Sequence, residues 1–250
     1  MYIVKSYFFD YFCTQVGCKI SSIQEINRQM LVKDFITKEI PVLKSFDTGE
    51  YALALMDDNK VKHLPLLEDN TSYRGIVSER ELLSCLDLAR PLSDLNFIGS
   101  DLIRPEAHLL EALSLMARNR LTVLPVVSED NDYIGSVTQE GLVGAMSDFC
   151  QADVAGSIII LEILPVDYSV VDIAHLVESN HAHITGLFTQ IESTTGRLLV
   201  TLKIDQEDAS AIIRTFVRFN YVVLWHFMKN GVVDDIFQQR MNELIHYLNI

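Results

Sequence analysis

The chain has 250 residues, of which 49% are hydrophobic, and it carries a formal net charge of −14 from 34 acidic and 20 basic side chains. This length and apolar content are enough for two globular cores. The acidic excess repels phosphodiester backbones and anionic lipid surfaces, so neither nucleic acid nor a membrane is an expected partner.

The four cysteines show neither CxxC spacing nor the framework of a small disulfide-bonded domain. This usage is typical of the reducing cytoplasm, where thiols stay reduced, and it predicts a cytoplasmic protein. The cysteines are Cys13, Cys18, Cys85 and Cys150.

Residues 1–29 form an aromatic-rich leader that we expect to lie outside the fold. Asp10 interrupts its apolar run and no small-residue cleavage site follows, so no signal peptide is predicted. The run is also shorter than the ~20 apolar residues that span a bilayer. Ser22 and Glu25 have the spacing of a helix cap that leads into the next segment. The alternatives for the leader are an artefact of an upstream start, a disordered tail and a strand that docks on a partner.

A tandem repeat occupies the middle of the chain. The stretch from Lys60 to Leu83 recurs from Arg120 to Val143, in register and without a gap, at a shift of 60 residues. A period of this length exceeds that of short solenoid repeats, so each copy is expected to be a half-domain that packs against the other. Identical pairs under the shift are Leu64 and Leu124, Pro65 and Pro125, Tyr73 and Tyr133, Gly75 and Gly135, Val77 and Val137, and Leu82 and Leu142.

Each copy is predicted to form a helix, a short apolar strand, a polar hairpin, a second strand and a second helix. In the first copy, Asp47 and Glu50 have the spacing of an acidic helix cap. The apolar run 63–67 is a short strand. Ser78 and Glu81 then open the second helix as a capping box, in which each side chain accepts a backbone N–H.

The second copy follows a hinge at Pro91, which ends the preceding helix. Its own first helix is predicted from Glu106 to Arg118, because Pro105 suits the start of a helix. The copy closes near Phe149.

These residues resemble the CBS-domain family, roughly from Met30 to Phe149. The family signature is Gly-h-h-Ser/Thr-x-x-Asp, where h is apolar. It reads Gly75-Ile-Val-Ser78-Glu-Arg-Glu81 in the first copy and Gly135-Ser-Val-Thr138-Gln-Glu-Gly141 in the second, so neither copy has the aspartate. The resemblance implies a flat, pseudo-symmetric pair that dimerises through its helices. Its two clefts hold adenosine-containing ligands, with the acidic residue on the ribose hydroxyls.

The resemblance places a nucleotide around the first signature, with Glu81 on the ribose hydroxyls and Lys62 and His63 near phosphates. Apolar positions would contact the adenine. In the second copy Thr138 is retained but Gly141 has no side chain to contribute. The predicted ligand residues are Ile40, Val42, Val61, Lys62, His63, Ile76, Ser78, Glu81 and Thr138. The alternatives are a capping box without ligand, a solvated strand edge and ordinary core positions.

From Gly156 the pattern changes to β-α-β-β-α-β, the ferredoxin-like arrangement. Ser169 and Asp172 cap its first predicted helix, and Asp205 and Asp208 its second. Following the repeat, this segment resembles an ACT-type regulatory domain, which implies a small-metabolite ligand. Ser169 stands where that family usually has glycine. The whole chain resembles accessory proteins of the acetoin-utilisation type.

Two further patterns complete the chain. Three histidines, His175, His181 and His183, gather near a helix end, but no Cys or carboxylate completes a metal set at a known spacing. The tail carries an apolar stripe at helical spacing, which predicts an amphipathic helix that docks on its own core or, alternatively, on another subunit. The stripe consists of Val233, Ile236, Phe237, Met241, Leu244, Ile245 and Leu248.

The fold class is therefore α/β and α+β. An extension (1–29) precedes a CBS pair (30–150, divided into 30–90 and 91–150), an ACT-like domain (156–229) and a tail helix (230–250). No motif of a hydrolase, kinase, dehydrogenase or metalloprotease occurs, so no catalytic residue, metal or required cofactor is predicted. The expected function is a homodimeric sensor that binds AMP, ADP or ATP and regulates an unknown protein. The alternative is a ligand-free homodimeric scaffold.

Overall fold

The computed structural model describes residues 30–94 and 99–228. These residues divide into two compact units between Met146 and Ser147. The predicted leader with its cap at Ser22, and the predicted tail helix, lie outside the described residues. Within the described part, no helix is both long and apolar enough to cross a lipid bilayer.

The first unit contains the repeat, and its two copies share their element order. The first copy comprises β1 (Leu43–Lys44), α1 (Gly49–Asp58), β2 (His63–Leu67), β3 (Tyr73–Ser78) and α2 (Glu79–Leu82). The second comprises α3 (Leu109–Asn119), β4 (Val123–Val127), β5 (Tyr133–Thr138) and α4 (Gln139–Phe149). Leu43 of β1 pairs in parallel with Leu66 of β2. In the second copy, the equivalent residue Ile103 forms a parallel bridge with Val126 of β4. The predicted order is confirmed.

The first helix of each copy begins later than predicted, because a different residue caps it. Thr48 caps α1, since its Oγ1 accepts the N–H of Tyr51 at 3.3 Å. Asp47 instead accepts the N–H of Lys44 at 2.7 Å. His108 caps α3 by accepting the N–H of Leu110 on Nδ1 at 3.2 Å. The predicted starts at Asp47 and Glu106 are therefore wrong.

The segment that precedes each copy crosses to the strand of the other copy. Thr37 and Ser136 exchange two backbone hydrogen bonds of 2.8 and 2.9 Å. Gly99 and Ile76 exchange another two, of 3.0 and 2.8 Å. Since Ile76 and Ser136 are equivalent under the shift of 60, the crossing is reciprocal. The two copies therefore share their clefts.

A small apolar cluster joins the copies along their common axis. It contains equivalent residues of the two copies in pairs, so the repeat itself supplies both sides of the contact. The pairs are Leu67 and Val127, Tyr73 and Tyr133, and Val42 and Leu102. Burying such surface stabilises by ~25 cal/mol per Å². Backbone bonds reinforce it, because Tyr73 N–H donates to Asn131 and Tyr133 N–H to Thr71.

The second unit consists of β6 (Ser157–Ile163), α5 (Val170–Glu178), β7 (Ile184–Ile191), β8 (Leu198–Ile204), α6 (Ser210–Arg218) and β9 (Val222–Phe227). The sheet order is β7-β8-β6-β9, and all neighbouring pairs are antiparallel. Its core lies between one face of the sheet and the two helices, around Phe216 and Ile159. The predicted β-α-β-β-α-β order is confirmed.

Of the two helix caps predicted in this unit, the one at Ser169 is confirmed and the one at Asp205 is not. Ser169 caps α5 by accepting the N–H of Asp172 at 3.2 Å. Asp205 does not cap α6, because its carboxylate accepts the N–H of His183 at 2.8 Å and contacts Nδ1 of the same residue at 2.8 Å. These hydrogen bonds lower the pKa of Asp205. The prediction of Asp205 as a cap is therefore wrong.

Candidate functional site

Two open clefts of the first unit are related by the repeat. The Ser78 cleft, of about 810 Å³, is lined by Ser78 and Glu81 from one copy and Asp101 and Arg120 from the other. The Thr138 cleft, of about 680 Å³, is lined by the equivalent signature of the second copy. Both volumes fall within the ~300–1,000 Å³ that is usual for small-molecule sites.

The capping box at Ser78 forms as predicted. The N–H of Glu81 donates to Ser78 Oγ at 3.2 Å, and the N–H of Ser78 donates to Glu81 Oε2 at 3.3 Å. The hydroxyl of Ser78 also donates to Glu81 Oε2 at 2.6 Å. The box stands at the start of α2, a helix of a single turn, and both polar side chains line the cleft. They are fixed there by each other before any ligand binds.

The opposite wall of the Ser78 cleft comes from the second copy. The carboxylate of Asp101 accepts from the Asn119 amide at 2.6 Å, and its backbone carbonyl accepts from the Tyr73 hydroxyl at 2.6 Å. A carboxylate is thereby held across the cleft from Ser78. Gly99, Asp101, Asn119 and Arg120 were not predicted from the sequence, because they precede or follow a helix of the other copy. The crossing brings Gly99 and Asp101 here, and the hydrogen bond between Lys62 and Thr122 holds the residues that follow α3 beside β2.

His63 lines the same cleft and is held by the second copy. Its Nδ1 accepts the backbone N–H of Thr122 at 3.2 Å and lies 3.1 Å from Thr122 Oγ1. An acceptor at Nδ1 leaves the proton on Nε2 of a neutral ring. Burial lowers the pKa of His63, although the nearby carboxylates of Glu81, Asp101 and Glu79 oppose the shift.

The two clefts differ in charge. The Ser78 cleft contains three cationic side chains, Lys62, Arg80 and Arg120, and three carboxylates, Glu79, Glu81 and Asp101, with Lys62 Nζ 3.6 Å from Glu79 Oε2. The Thr138 cleft contains Lys60 as its cation, together with Glu39 and Glu140. Phosphate oxygens are attracted to guanidinium and ammonium groups and repelled by carboxylates. The charges of the Ser78 cleft thus balance, whereas those of the Thr138 cleft sum to −1, so an anionic ligand is less disfavoured in the Ser78 cleft, where three cations are available to it.

The structure divides the predicted ligand residues between the two clefts. Five of them line the Ser78 cleft: Lys62, His63, Ile76, Ser78 and Glu81. Ile40, Val61 and Thr138 line the other cleft, so the prediction that Ile40 and Val61 face Ser78 is wrong. For Ile40 the reason is the crossing at Thr37, which carries this segment to the strand of the second copy. Val42 contacts the cluster between the copies.

The second unit has a smaller cavity of about 370 Å³ at the end of β6. Glu162, Asp167, Arg197 and Tyr221 line it. Arg197 Nη1 lies 3.4 Å from Glu162 Oε2. Burial, with the charges of Asp172 and Asp167, raises the pKa of Tyr221. The cavity therefore presents a guanidinium and carboxylates side by side. Of the three histidines considered for a metal, His183 is the one that pairs with Asp205.

Comparison with protein families identifies the repeat. Residues 32–88 and 101–148 match the CBS domain. The two matched segments correspond to the two copies, and together they form a tandem CBS domain pair. The segment from β6 onward lies outside the match and is a further α+β domain.

The chain spans about a quarter of the length of the curated relatives that it matches. It is 27% identical over 135 residues to a homoserine O-acetyltransferase of Methanosphaerula palustris, which covers 53% of this chain and 27% of the relative. It is 25% identical over 122 residues to an inosine-5'-monophosphate dehydrogenase of Methanocaldococcus jannaschii, with 48% and 24% covered. Those activities belong to the named proteins.

Solved structures resemble the chain over about half its length. A CBS domain pair/ACT domain protein of Thermotoga maritima is 24% identical, with a TM-score of 0.44, over 48% of this chain and 98% of that chain. CBSX2, a CBS-pair protein of Arabidopsis thaliana, has been solved in complex with AMP. That complex is 28% identical, with a TM-score of 0.43, over 48% and 98% of the two chains.

Proposed function

We propose that the chain is a non-catalytic sensor that binds an adenine nucleotide in the Ser78 cleft. The observation that carries the proposal is the pairing, in one open cleft, of three cations with carboxylates held at fixed positions on both walls. Lys62, Arg80 and Arg120 would bind phosphate oxygens. Glu81 would accept from ribose hydroxyls, and the apolar side chain of Ile76 would contact the adenine.

Titration calorimetry with AMP, ADP and ATP tests the proposal, and we expect one site per chain. Glu81→Gln is the informative variant because glutamine preserves a capping box while it removes the charge. A hydrogen bond to a charged group contributes about 1 kcal/mol more than a neutral one. The variant should therefore bind about fivefold more weakly at a nearly unchanged melting temperature. Glu140→Gln, in the Thr138 cleft, is the matched control and should bind like the unmodified chain.

A ligand-free interaction scaffold is the second candidate, and one contact favours it. Ser78 and Glu81 already satisfy each other at 2.6 Å, so the fold needs no ligand to complete this site. The absence of heat with all three nucleotides would favour the scaffold over the sensor. Two equivalent sites would instead show that the acidic signature position does not select the cleft.

Either function includes a homodimer formed through the helices of the pair. Tyr51 on α1 and Leu110 on α3 are exposed, and a groove of about 670 Å³ follows α3. Apolar helix surface of this kind is typical of an interface between copies. Sedimentation should show a dimer that Leu110→Glu weakens. A monomer at micromolar concentration would contradict this part of the proposal.

The last part of the proposal is that the cavity of the second unit binds a small metabolite. Its cavity offers Arg197 for a carboxylate and Asp167 for an ammonium group, a combination that suits a free amino acid. A ligand that reaches a hundred times its dissociation constant stabilises the fold by about 2.7 kcal/mol. Thermal shift with an amino-acid panel should therefore find a stabilising ligand that Arg197→Gln abolishes. If every amino acid leaves the melting temperature unchanged, this part is wrong.

A further inference from the structure

The sheet of the second unit is apolar on both faces. Its inner face, covered by α5 and α6, contains Ile159, Leu161, Val200 and Leu202, all fully buried. Because side chains alternate along a strand, the residues between them lie on the opposite face. An antiparallel sheet that faces water is usually polar on that side. Here the opposite face is mainly apolar.

The strand register defines this second surface, the outer face. Phe188 is opposite Thr201, Thr201 opposite Ile160, and Ile160 opposite Trp225, in a row across all four strands. Phe188 is 45% exposed. The apolar part of the outer face consists of Ile158, Ile160, Phe188, Leu199 and Phe227, with Trp225 at its edge, and the register adds the polar residues Thr201, Glu162, Gln190 and Lys203 to the same face. Apolar surface of this extent usually has a partner.

The chain supplies a partner of suitable chemistry directly after the edge strand. β9 ends at Phe227, and the described part ends at Met228. The apolar stripe begins at Val233, after the turn-forming dipeptide Asn230-Gly231. From there to Leu248 a helix would be ~24 Å long. A strand of seven residues, such as β8, extends over ~23 Å. The stripe therefore matches the length of the face.

We propose that residues 233–248 form a helix whose apolar stripe lies on the outer face of the same chain. The connection from the edge strand to the stripe is short, so the stripe is held at high effective concentration beside the face. Docking of a second copy would have to offset the loss of translational and rotational freedom in addition. The sheet would then have a helical layer on each side.

Trp225 is the chain's single tryptophan and lies on the edge of this face, so its fluorescence reports what covers it. Phe237→Asp places a charge in the centre of the stripe. Gln239→Asp places the same charge on the opposite side of the predicted helix and is the matched control. We expect Phe237→Asp to shift the emission to the red and to increase quenching by acrylamide. Gln239→Asp should leave both unchanged.

Limited trypsin digestion gives a second readout in the same full-length variants. Cleavage after Arg240, identified by mass, should be on the order of tenfold faster or more in Phe237→Asp, since proteolysis follows the population of the open form. Thr201→Glu changes the outer face and leaves the tail sequence intact, and it should also increase the rate of cleavage after Arg240. If neither variant changes the emission or the cleavage, the proposal is wrong. It is also wrong if dilution of the unmodified chain shifts the emission to the red, because a second copy would then cover the face.

Discussion

Thr122 N–H donates to the Nδ1 of His63 at 3.2 Å, and this contact joins the two clefts of the repeat. Thr122 lines the Thr138 cleft and His63 lines the Ser78 cleft. The hydroxyl of Thr122 also accepts the N–H of Lys62 at 2.9 Å. A residue of the second copy therefore holds both the side chain of His63 and the backbone of Lys62 in the first.

The first prediction is that the first unit loses stability as the pH falls below about 6.5, the ordinary pKa of histidine. In the folded chain, burial lowers the pKa of His63, and the charge of Lys62 lowers it further. The carboxylates of Glu81, Asp101 and Glu79 oppose the shift without cancelling it. The unfolded chain therefore takes up the proton first, so stability is full above the unfolded pKa and is lost as the pH falls through the folded one.

Melting temperatures between pH 8 and 5 measure the effect. His63→Asn places an uncharged acceptor near the position of Nδ1, so we expect a smaller decrease in this variant than in the unmodified chain. His175→Asn removes an exposed histidine of the second unit and serves as the control. An equal decrease in all three proteins would show that His63 does not cause the pH dependence.

The second prediction compares two glycines of the second copy. A Cβ on Gly135 would lie 2.4 Å from Ile36 Cγ2 and 2.8 Å from Thr37 O, in the segment that crosses from the first copy. Gly135→Ala should therefore destabilise the fold, by roughly 1–3 kcal/mol as for other overpacked sites. A Cβ on Gly144 of α4 would have no neighbour within 4 Å. Gly144→Ala should stabilise by ~0.5–1 kcal/mol through helix propensity. Urea unfolding of both variants checks the opposite signs.

The sequence predicted the local structure of this chain well, because each step depends on neighbouring residues. Ser78 and Glu81 are three residues apart, and the capping box between them needs no other part of the chain. The alternation of the run 198–204 likewise predicts β8. Thr48 and His108 were missed as caps, because Asp47 and Pro105 are the stronger signals of a helix start in the sequence. In the structure the Asp47 carboxylate accepts the N–H of Lys44, and the Pro105 carbonyl accepts the N–H of Lys33.

The composition of the clefts could not be predicted in the same way. It depends on the crossing of the segments at Thr37 and Gly99, which is formed by backbone hydrogen bonds that leave no pattern in the side chains. From the sequence, the predicted adenine contacts of the Ser78 cleft were all placed in the first copy. The crossing instead places Ile40 with the second copy and Asp101 with the first.

The third prediction is that Thr122 affects binding in the cleft that it does not line. Thr122→Val keeps the shape of the side chain but removes the acceptor for the N–H of Lys62. Because this hydrogen bond lies at an exposed position, water can replace part of it, so the cost is at most the ~0.5–1.5 kcal/mol net contribution of an ordinary hydrogen bond. Nucleotide should bind more weakly in calorimetry. Thr122→Ser keeps the hydroxyl and should bind normally, whereas equal affinities of the valine and serine variants would contradict the coupling.

The fourth prediction is that the Thr138 cleft can be converted into a second nucleotide site. Gly141 lacks the acidic side chain of the signature, yet it has room for one. A Cβ there would lie 3.2 Å from Thr138 Oγ1 and 3.8 Å from Phe35 O. Gly141→Asp alone would add a third carboxylate to Glu39 and Glu140, so it should bind phosphate poorly. Glu140→Arg removes one of these charges and reproduces Arg80, its equivalent in the first copy.

The combined variant Gly141→Asp/Glu140→Arg should therefore raise the calorimetric stoichiometry from one nucleotide per chain to two. Gly141→Ala/Glu140→Arg has the same added cation without the carboxylate, and it should remain at one. If this control also binds two nucleotides, charge alone selects the cleft and the acidic position is not required. If both double variants bind only one while they melt like the unmodified chain, the Thr138 cleft lacks something that neither charge nor the signature supplies. The remaining difference would then be the wall opposite the signature, where Asp101 has Pro41 as its equivalent.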